Sequence, residues 1–355
     1  MHRLVEGFDV VVDANKKFAG IGEILVGLGN TNNENVGLVL QHKTSSKQYG
    51  SLSQYVFDLE LELRAESYQT LFVEDFSVDT ILSIWIVLVK LNKQTMPENI
   101  DLWLKYASRW EKGDTATTGN AFHSYGCLQN ALLLNMVGIT GKEKLSHSLS
   151  FLDYLIVHAI RPTDIPEISD FELYIRAKEN LLKEYDKYAS IVQNSEVITV
   201  CVPQINKENC LKVSAVFIET NIISSIQKVF LRNDEKSPSK DGYALMAVYN
   251  EQAKGTGNDI VISTDPTKHI QLKALWDALE KNENDLWEGN RPKDMPRPLT
   301  SYPNNNGPNE PWWDDMGNYT LIAAPKMVGS EYGRRVSWNR VKELIKQLYA
   351  KGAQL

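Results

Sequence analysis

Few cysteines, no long apolar run and no cluster of basic charge mark this chain, and each shortage excludes a class of protein. Its 355 residues hold three cysteines, Cys127, Cys201 and Cys210, at unrelated spacings. That pattern makes neither a disulfide framework nor a CxxC metal knuckle. Buried, reduced thiols are the expectation, because free cysteine is among the most buried residue types. The longest apolar stretch, Ile81 to Val89 with Ser83 inside it, falls well short of the ~20 residues that cross a bilayer. The opening MHRLVEGFDVVVDANKK carries acids and lacks the basic start, apolar stretch and cleavage site of a signal peptide. A soluble, cytoplasmic protein without a membrane partner is therefore expected. The net charge of −7 comes with no basic run, which argues against nucleic acid as the main partner. GxGxxG, GxxxxGK[ST], HExxH and GxSxG are all missing. The glycine-rich GIGEILVGLGN beginning at Gly20 lacks the basic residue of a phosphate loop.

What is present is a globular composition, 43% apolar, 9% aromatic and 23% charged, on a length that suits two domains. FDVVVDA (Phe8 to Ala14) and VGLVLQH (Val36 to His42) read as strands, and LSQYVFDLELELRAE as an acidic helix. The strand TLFVED follows, then an apolar helix from Asp79 to Lys90 and a helix containing DLWLKYASRWE. This alternation predicts a mostly parallel α/β sheet with flanking helices. YGCLQNALLLNMVGI and KLSHSLSFLDYLIVHAI carry apolar residues at helical spacing, and Asp170 to Gln193 reads as a long amphipathic helix.

After Asn194 the texture turns to strands: EVITVCVP, CLKVSAVFIE, QKVFLRND, YALMAVYNEQ and DIVISTDP, with one helix, HIQLKALWDALEKNEN. The expected architecture is an α/β domain over residues 1–193 and a smaller strand-rich α+β domain over 194–355. Gly289 to Pro311 is rich in Pro, Asn and Gly and too long for a simple connection. It runs into WWDDMGNYTLIAAP, a turn leading to a strand, and Ser337 suits the N-cap of a last helix, Trp338 to Tyr349.

Carboxylates just after parallel strands sit at the sheet edge where open α/β folds bind ligands. Asp13 ends the first strand, and Asp75 and Asp79 follow TLFVE. Such oxygen-rich sets suit Mg²⁺ or Mn²⁺, and a metal pair can clamp a phosphoryl displacement. Asp79 equally suits the N-cap of the helix that starts at Thr80.

The run Asp75-Phe-Ser-Val-Asp79-Thr-Ile-Leu-Ser83 resembles the first motif of the DHH phosphoesterase superfamily. In that motif a strand leads into His-x-x-x-Asp-x-Asp, followed by a small residue inside a helix. Asp79 and Ser83 match the second aspartate and the small residue. Ser77 stands in place of the first aspartate, Val73 in place of the histidine, and no Asp-His-His sequence occurs. Asp114 is the candidate for a second-motif aspartate and His123 the nearby histidine; the resemblance spans roughly the first 130 residues. It implies a metal-dependent phosphoesterase acting on a nucleotide or other phosphate ester. Asp13, Asp75, Asp79 and Asp114 would hold Mn²⁺ or Mg²⁺, with Asp79 and His123 taking part in catalysis. The order of VVVDA, His42, an acidic helix, the DFSVDT turn and the late WWDD segment is also similar to bacterial proteins with a sheet domain of this type.

Other residues offer substrate contacts. Thr118 and Asn120 lie just ahead of a helix, where free backbone N–H groups favour a phosphate. Trp312, Trp313, Asp314, Asp315 and Tyr319 could stack on a base or close a pocket, and Arg334 and Arg335 could meet phosphate bidentately. Cys127 near a helix start could serve a cysteine hydrolase with His123, His147, His158 or His269 as base. His147 and His158, eleven residues apart, fit core positions better than a metal site. The rival to an enzyme is a non-catalytic protein that keeps the sheet and binds a nucleotide or another protein.

Overall fold

In the computed structural model the chain divides into two compact units, Met1–Glu184 and Tyr185–Leu355. The structure describes residues 8–28, 37–40, 51–59, 68–114, 120–134, 136, 138–207, 209–220, 224–254, 259–288, 312–314, 317–325 and 334–350.

Within the first unit the described elements run β1 (Asp9–Val12), β2 (Glu23–Val26), β3 (Leu38–Leu40), α1 (Leu52–Asp58), β4 (Thr70–Val73), α2 (Val78–Leu91), α3 (Ile100–Glu111), α4 (Tyr125–Leu134) and α5 (Gly141–Val157). The strands form a parallel sheet in the order β1-β4-β2-β3. The expected parallel α/β sheet is therefore present. Strand β2 falls inside the glycine-rich stretch from Gly20, where ILV is flanked by glycines that hid its period.

Helix α2 is buried on every side from Val78 to Val89, as a helix apolar all round must be. It packs on α1, α3, α5 and β2, and α5 also lies on β1. The long helix α6 (Glu172–Gln193) follows, and the division between units falls inside it, at Glu184/Tyr185.

The second unit holds β5 (Glu196–Val202), β6 (Leu211–Glu219), α7 (Ser225–Arg232), β7 (Tyr243–Tyr249), β8 (Ile260–Thr264), α8 (Lys273–Leu286), β9 (Leu321–Ala323) and α9 (Trp338–Ile345). Its sheet runs β5-β6-β7-β8-β9, antiparallel except for the β6/β7 pair. A parallel pair needs a crossover, and α7 supplies it. QKVFLRND, expected to be a strand, is thus helical. Ser224 and Gln227 form a capping box at its start, and Ile226, Val229 and Phe230 bury one face at helical spacing. The core of this unit gathers Val200, Phe217, Leu245, Ile262, Leu275, Trp312 and Trp338. Ser337 caps α9 as expected, accepting from the Arg340 N–H at 3.2 Å.

Cys201 and Cys210 are joined in a disulfide with a Cα–Cα separation of 5.4 Å, contrary to the expectation of reduced thiols. The antiparallel β5/β6 hairpin pairs Val202 with Leu211, which brings the two flanking cysteines together. Cys127 is free and buried. Among the described residues no helix is long and apolar enough to cross a membrane. The Gly289 to Pro311 loop lies outside the described residues.

Candidate functional site

The acidic turn after β4 is ordered by its own carboxylates. Asp75 is exposed, and its Oδ1 accepts from the Ser77 N–H at 2.9 Å and the Thr80 hydroxyl at 3.0 Å. Ser77, not Asp79, is the N-cap of α2, accepting from the Thr80 N–H at 3.2 Å. Asp79 is buried at 6% exposure and faces the start of α1. Its two oxygens accept from the Leu52 N–H at 2.6 Å and the Ser53 N–H at 3.0 Å. The next donors of α1 are met by Ser51, whose hydroxyl takes the Gln54 N–H and whose carbonyl takes the Tyr55 N–H. The N–H groups of Leu52, Ser53 and Gln54, three of those that a helix start leaves without intrahelical partners, are thereby satisfied.

The far end of α1 is met by the far end of α2. The Lys90 ammonium donates to the carbonyls of Val56, Phe57 and Leu59, each at 2.8 Å. Asp79 and Lys90 therefore clamp both ends of a parallel neighbour, an anion on its positive pole and a cation on its negative pole. Burial pulls the Lys90 pKa below the ordinary lysine value.

Glu111, which the motif reading does not include, ends α3 with the carboxylates of Asp79 and Asp75 as its charged neighbours. Its pKa is pushed up to about 7, first by loss of hydration and then by the neighbouring carboxylates of Asp79 and Asp75.

The other expected metal ligands have partners of their own. Asp13 closes a local turn, its Oδ1 accepting from the Asn15 N–H at 2.9 Å. Asp114 pairs with the Arg109 Nε at 2.9 Å. Among the described residues no group of three or more His, Cys, Asp and Glu side chains is placed to hold a metal ion. Asp13, Asp75, Asp79 and Asp114 are thus not gathered into the expected cluster, because their oxygens serve turns, a helix end and an arginine.

His123 sits on a short turn and shares its Nδ1 proton with the Ile165 carbonyl at 2.7 Å. Since a carbonyl only accepts, Nδ1 carries the proton and Nε2 is the basic nitrogen. Asn120 caps that turn, accepting from the Phe122 N–H at 3.0 Å. Thr118 lies outside the described residues, as does Asp315. Cys127 has no exposed surface, and burial pushes its thiol up to about 12. It therefore cannot supply the thiolate that a cysteine hydrolase needs.

The expected substrate contacts of the second unit are engaged in its own interior. Trp312 is completely buried, and its indole N–H reaches Glu283 at 3.4 Å. Trp313 pairs by backbone with Ala323. Arg334 forms a buried ion pair with Asp259 at 2.8 Å. The Arg335 guanidinium lies 3.6 Å over the Trp287 ring and donates to the Leu286 carbonyl at 2.9 Å. Glu283 organises this region. Fully buried, it accepts from the Trp287 and Trp312 indoles and from the backbone N–H groups of Arg335 and Val336.

A pocket of about 380 Å³ opens in the first unit between α3 and residues 161–163. Leu102, Lys105, Tyr106 and Arg109 line one wall, at the i, i+3, i+4, i+7 spacing of a single helix face. Arg161, Pro162 and Thr163 line the other. The second wall is tied down by the Tyr125 N–H to the Pro162 carbonyl at 2.8 Å, the Ile165 N–H to the His123 carbonyl at 2.9 Å, and the His123 Nδ1 bond. Basic residues at helical spacing in DLWLKYASRWE were the available signal; the partner wall, more than fifty residues later in the chain, carried none. No known family model matches this chain, and comparison with curated proteins finds no match in sequence.

Proposed function

We propose that the first unit is a metal-free binding module for a small anionic molecule, built on a DHH-like sheet whose acidic edge has passed to structural duty. The observation that carries this reading is the Asp79 carboxylate, both of whose oxygens are taken by the Leu52 and Ser53 N–H groups. A metal there would compete with those two charge-assisted bonds, on which the start of α1 depends for acceptors. Thermal melts of chelator-treated protein titrated with Mn²⁺ and Mg²⁺ test it. The expected result is no rise in melting temperature. A site loaded at a hundredfold excess over Kd would add about 2.7 kcal/mol, and a rise of that order would restore the metal-dependent phosphoesterase.

That second reading draws its support from Glu111, a carboxyl with a pKa of about 7 beside Asp75 and Asp79, the range that suits a general acid or base near neutral pH. The cytoplasmic placement expected from the sequence belongs to the same proposal. The Cys201–Cys210 bridge weighs against it, since such bridges are rare where glutathione keeps thiols reduced. Alkylation of both cysteines as free thiols during cell lysis would support the placement, and an intact bridge would overturn it.

A further inference from the structure

We infer that the pocket between α3 and residues 161–163 binds a ligand with a doubly negative head, a phosphate monoester or its charge equivalent, carried on a flat apolar body. This deepens the binding role proposed above and rests on it.

Charge and shape carry the argument. Three cations, Lys105, Arg109 and Arg161, stand at the pocket. Arg109 is held through its Nε by Asp114 at 2.9 Å, so the carboxylate aims the guanidinium while its two terminal nitrogens have no protein partner among the described residues. Lys105 and Arg161 likewise make no ion pair among the described residues. No carboxylate is among the described lining residues, and Asp114 engages only the Nε edge of Arg109, so three cations face the pocket with a local field that suits a dianion. A planar guanidinium fork suits phosphate and carboxylate oxygens alike, and the Thr163 hydroxyl adds a neutral donor.

The remaining lining is apolar. Tyr106 is 5% exposed and presents its ring, its hydroxyl being turned to Ser124 at 2.8 Å and to the Gly126 N–H at 2.8 Å. Leu102, 46% exposed, and Pro162 complete the walls. An apolar side chain left that open beside unpaired cations is covered when an amphipathic ligand seats. The cavity of about 380 Å³ falls in the range of small-molecule sites, which combine apolar walls with a few placed polar groups. Backbone bonds from Tyr125 and Ile165 hold the second wall, so little ordering is needed on binding.

Isothermal titration calorimetry of the full chain in chelator, with phenyl phosphate, inorganic phosphate and benzoate as probes, tests the assignment. Phenyl phosphate is expected to bind roughly tenfold more tightly than either other probe. The double variant Lys105→Ala/Arg161→Ala, which alters exposed side chains only, is expected to keep the wild-type melting temperature and to weaken phenyl phosphate roughly tenfold or more. Inorganic phosphate binding as tightly as phenyl phosphate overturns the apolar body, and benzoate doing so overturns the dianion. Equal binding by the double variant, or no binding by wild type, overturns the pocket. Binding that appears only on adding Mn²⁺ overturns the metal-free reading instead, so the two failures are distinct.

Discussion

The two units use a buried carboxylate in the same way and build the rest of their stability differently. In the first, strands of three or four residues carry little sheet, and the fold depends on α2, whose whole circumference is apolar. Its two charged residues near either end, Asp79 and Lys90, hold α1 in place. In the second, strands of up to nine residues form a wide sheet, and Glu283 ties α8 to two distant segments through three N–H groups while also accepting from the Trp287 indole at the end of α8. In both, the carboxylate is an acceptor for orphaned donors and pays for its own burial with charge-assisted hydrogen bonds. An acid in a loop after a strand is thus weak evidence of a metal site until its hydrogen bonds are counted.

The comparison breaks first at Glu283. Glu283→Ala leaves four buried donors without their acceptor and is expected to cost about 3 kcal/mol or more, read as a lower denaturant midpoint by the fluorescence of Trp287 and Trp312. A loss below about 1 kcal/mol would show that the hub is dispensable and that the sheet alone sustains the second unit. Asp79→Ala is the matching cut in the first unit and is expected to cost about 2 kcal/mol, because two donors at a helix start lose their acceptor. Lys90→Met, at the other end of the same clamp, is expected to cost about 1 kcal/mol. Equal, negligible losses for both would mean that α1 is held by packing alone.

The smallest effect concerns pH. Glu111 titrates near 7 in the folded protein against 4.5 for the ordinary glutamate, so the folded state holds this proton more tightly than the unfolded one. Its contribution is fully present below about pH 4.5 and is lost as pH rises through 7. Glu111→Gln removes that dependence while keeping the size and polarity of the side chain. The variant should therefore gain on wild type in melts run from pH 4.5 to 8. A constant difference across that range would place Glu111 in ordinary hydration.

Several features were legible in the residues because they are local. Three-and-four spacing in KLSHSLSFLDYLIV and the long, largely apolar run after Asp79 belong to helices whatever they touch. Alternation of strands with such helices selects a parallel sheet, which is present. Ser337 capped its helix as its position indicated. The helix over Ser225–Arg232 was missed because VFL imitates a buried strand, although Ser224 and Gln227 spell a capping box three residues apart. Strand β2 was hidden by glycines on both sides.

The sequence by itself determined most of the helices and strands, though not the helix Ser225–Arg232 or strand β2, and that acids cluster after β4. Only the tertiary structure decided what those acids do. Asp79 meets Leu52 across 27 positions, Glu283 meets Val336 across 53, and Cys201 meets Cys210 through a hairpin. Local periodicity carries no record of such pairings, because each depends on where the chain returns after a turn. A carboxylate is a metal ligand, a cap or an arginine's partner according to the donors that the folded chain brings to it.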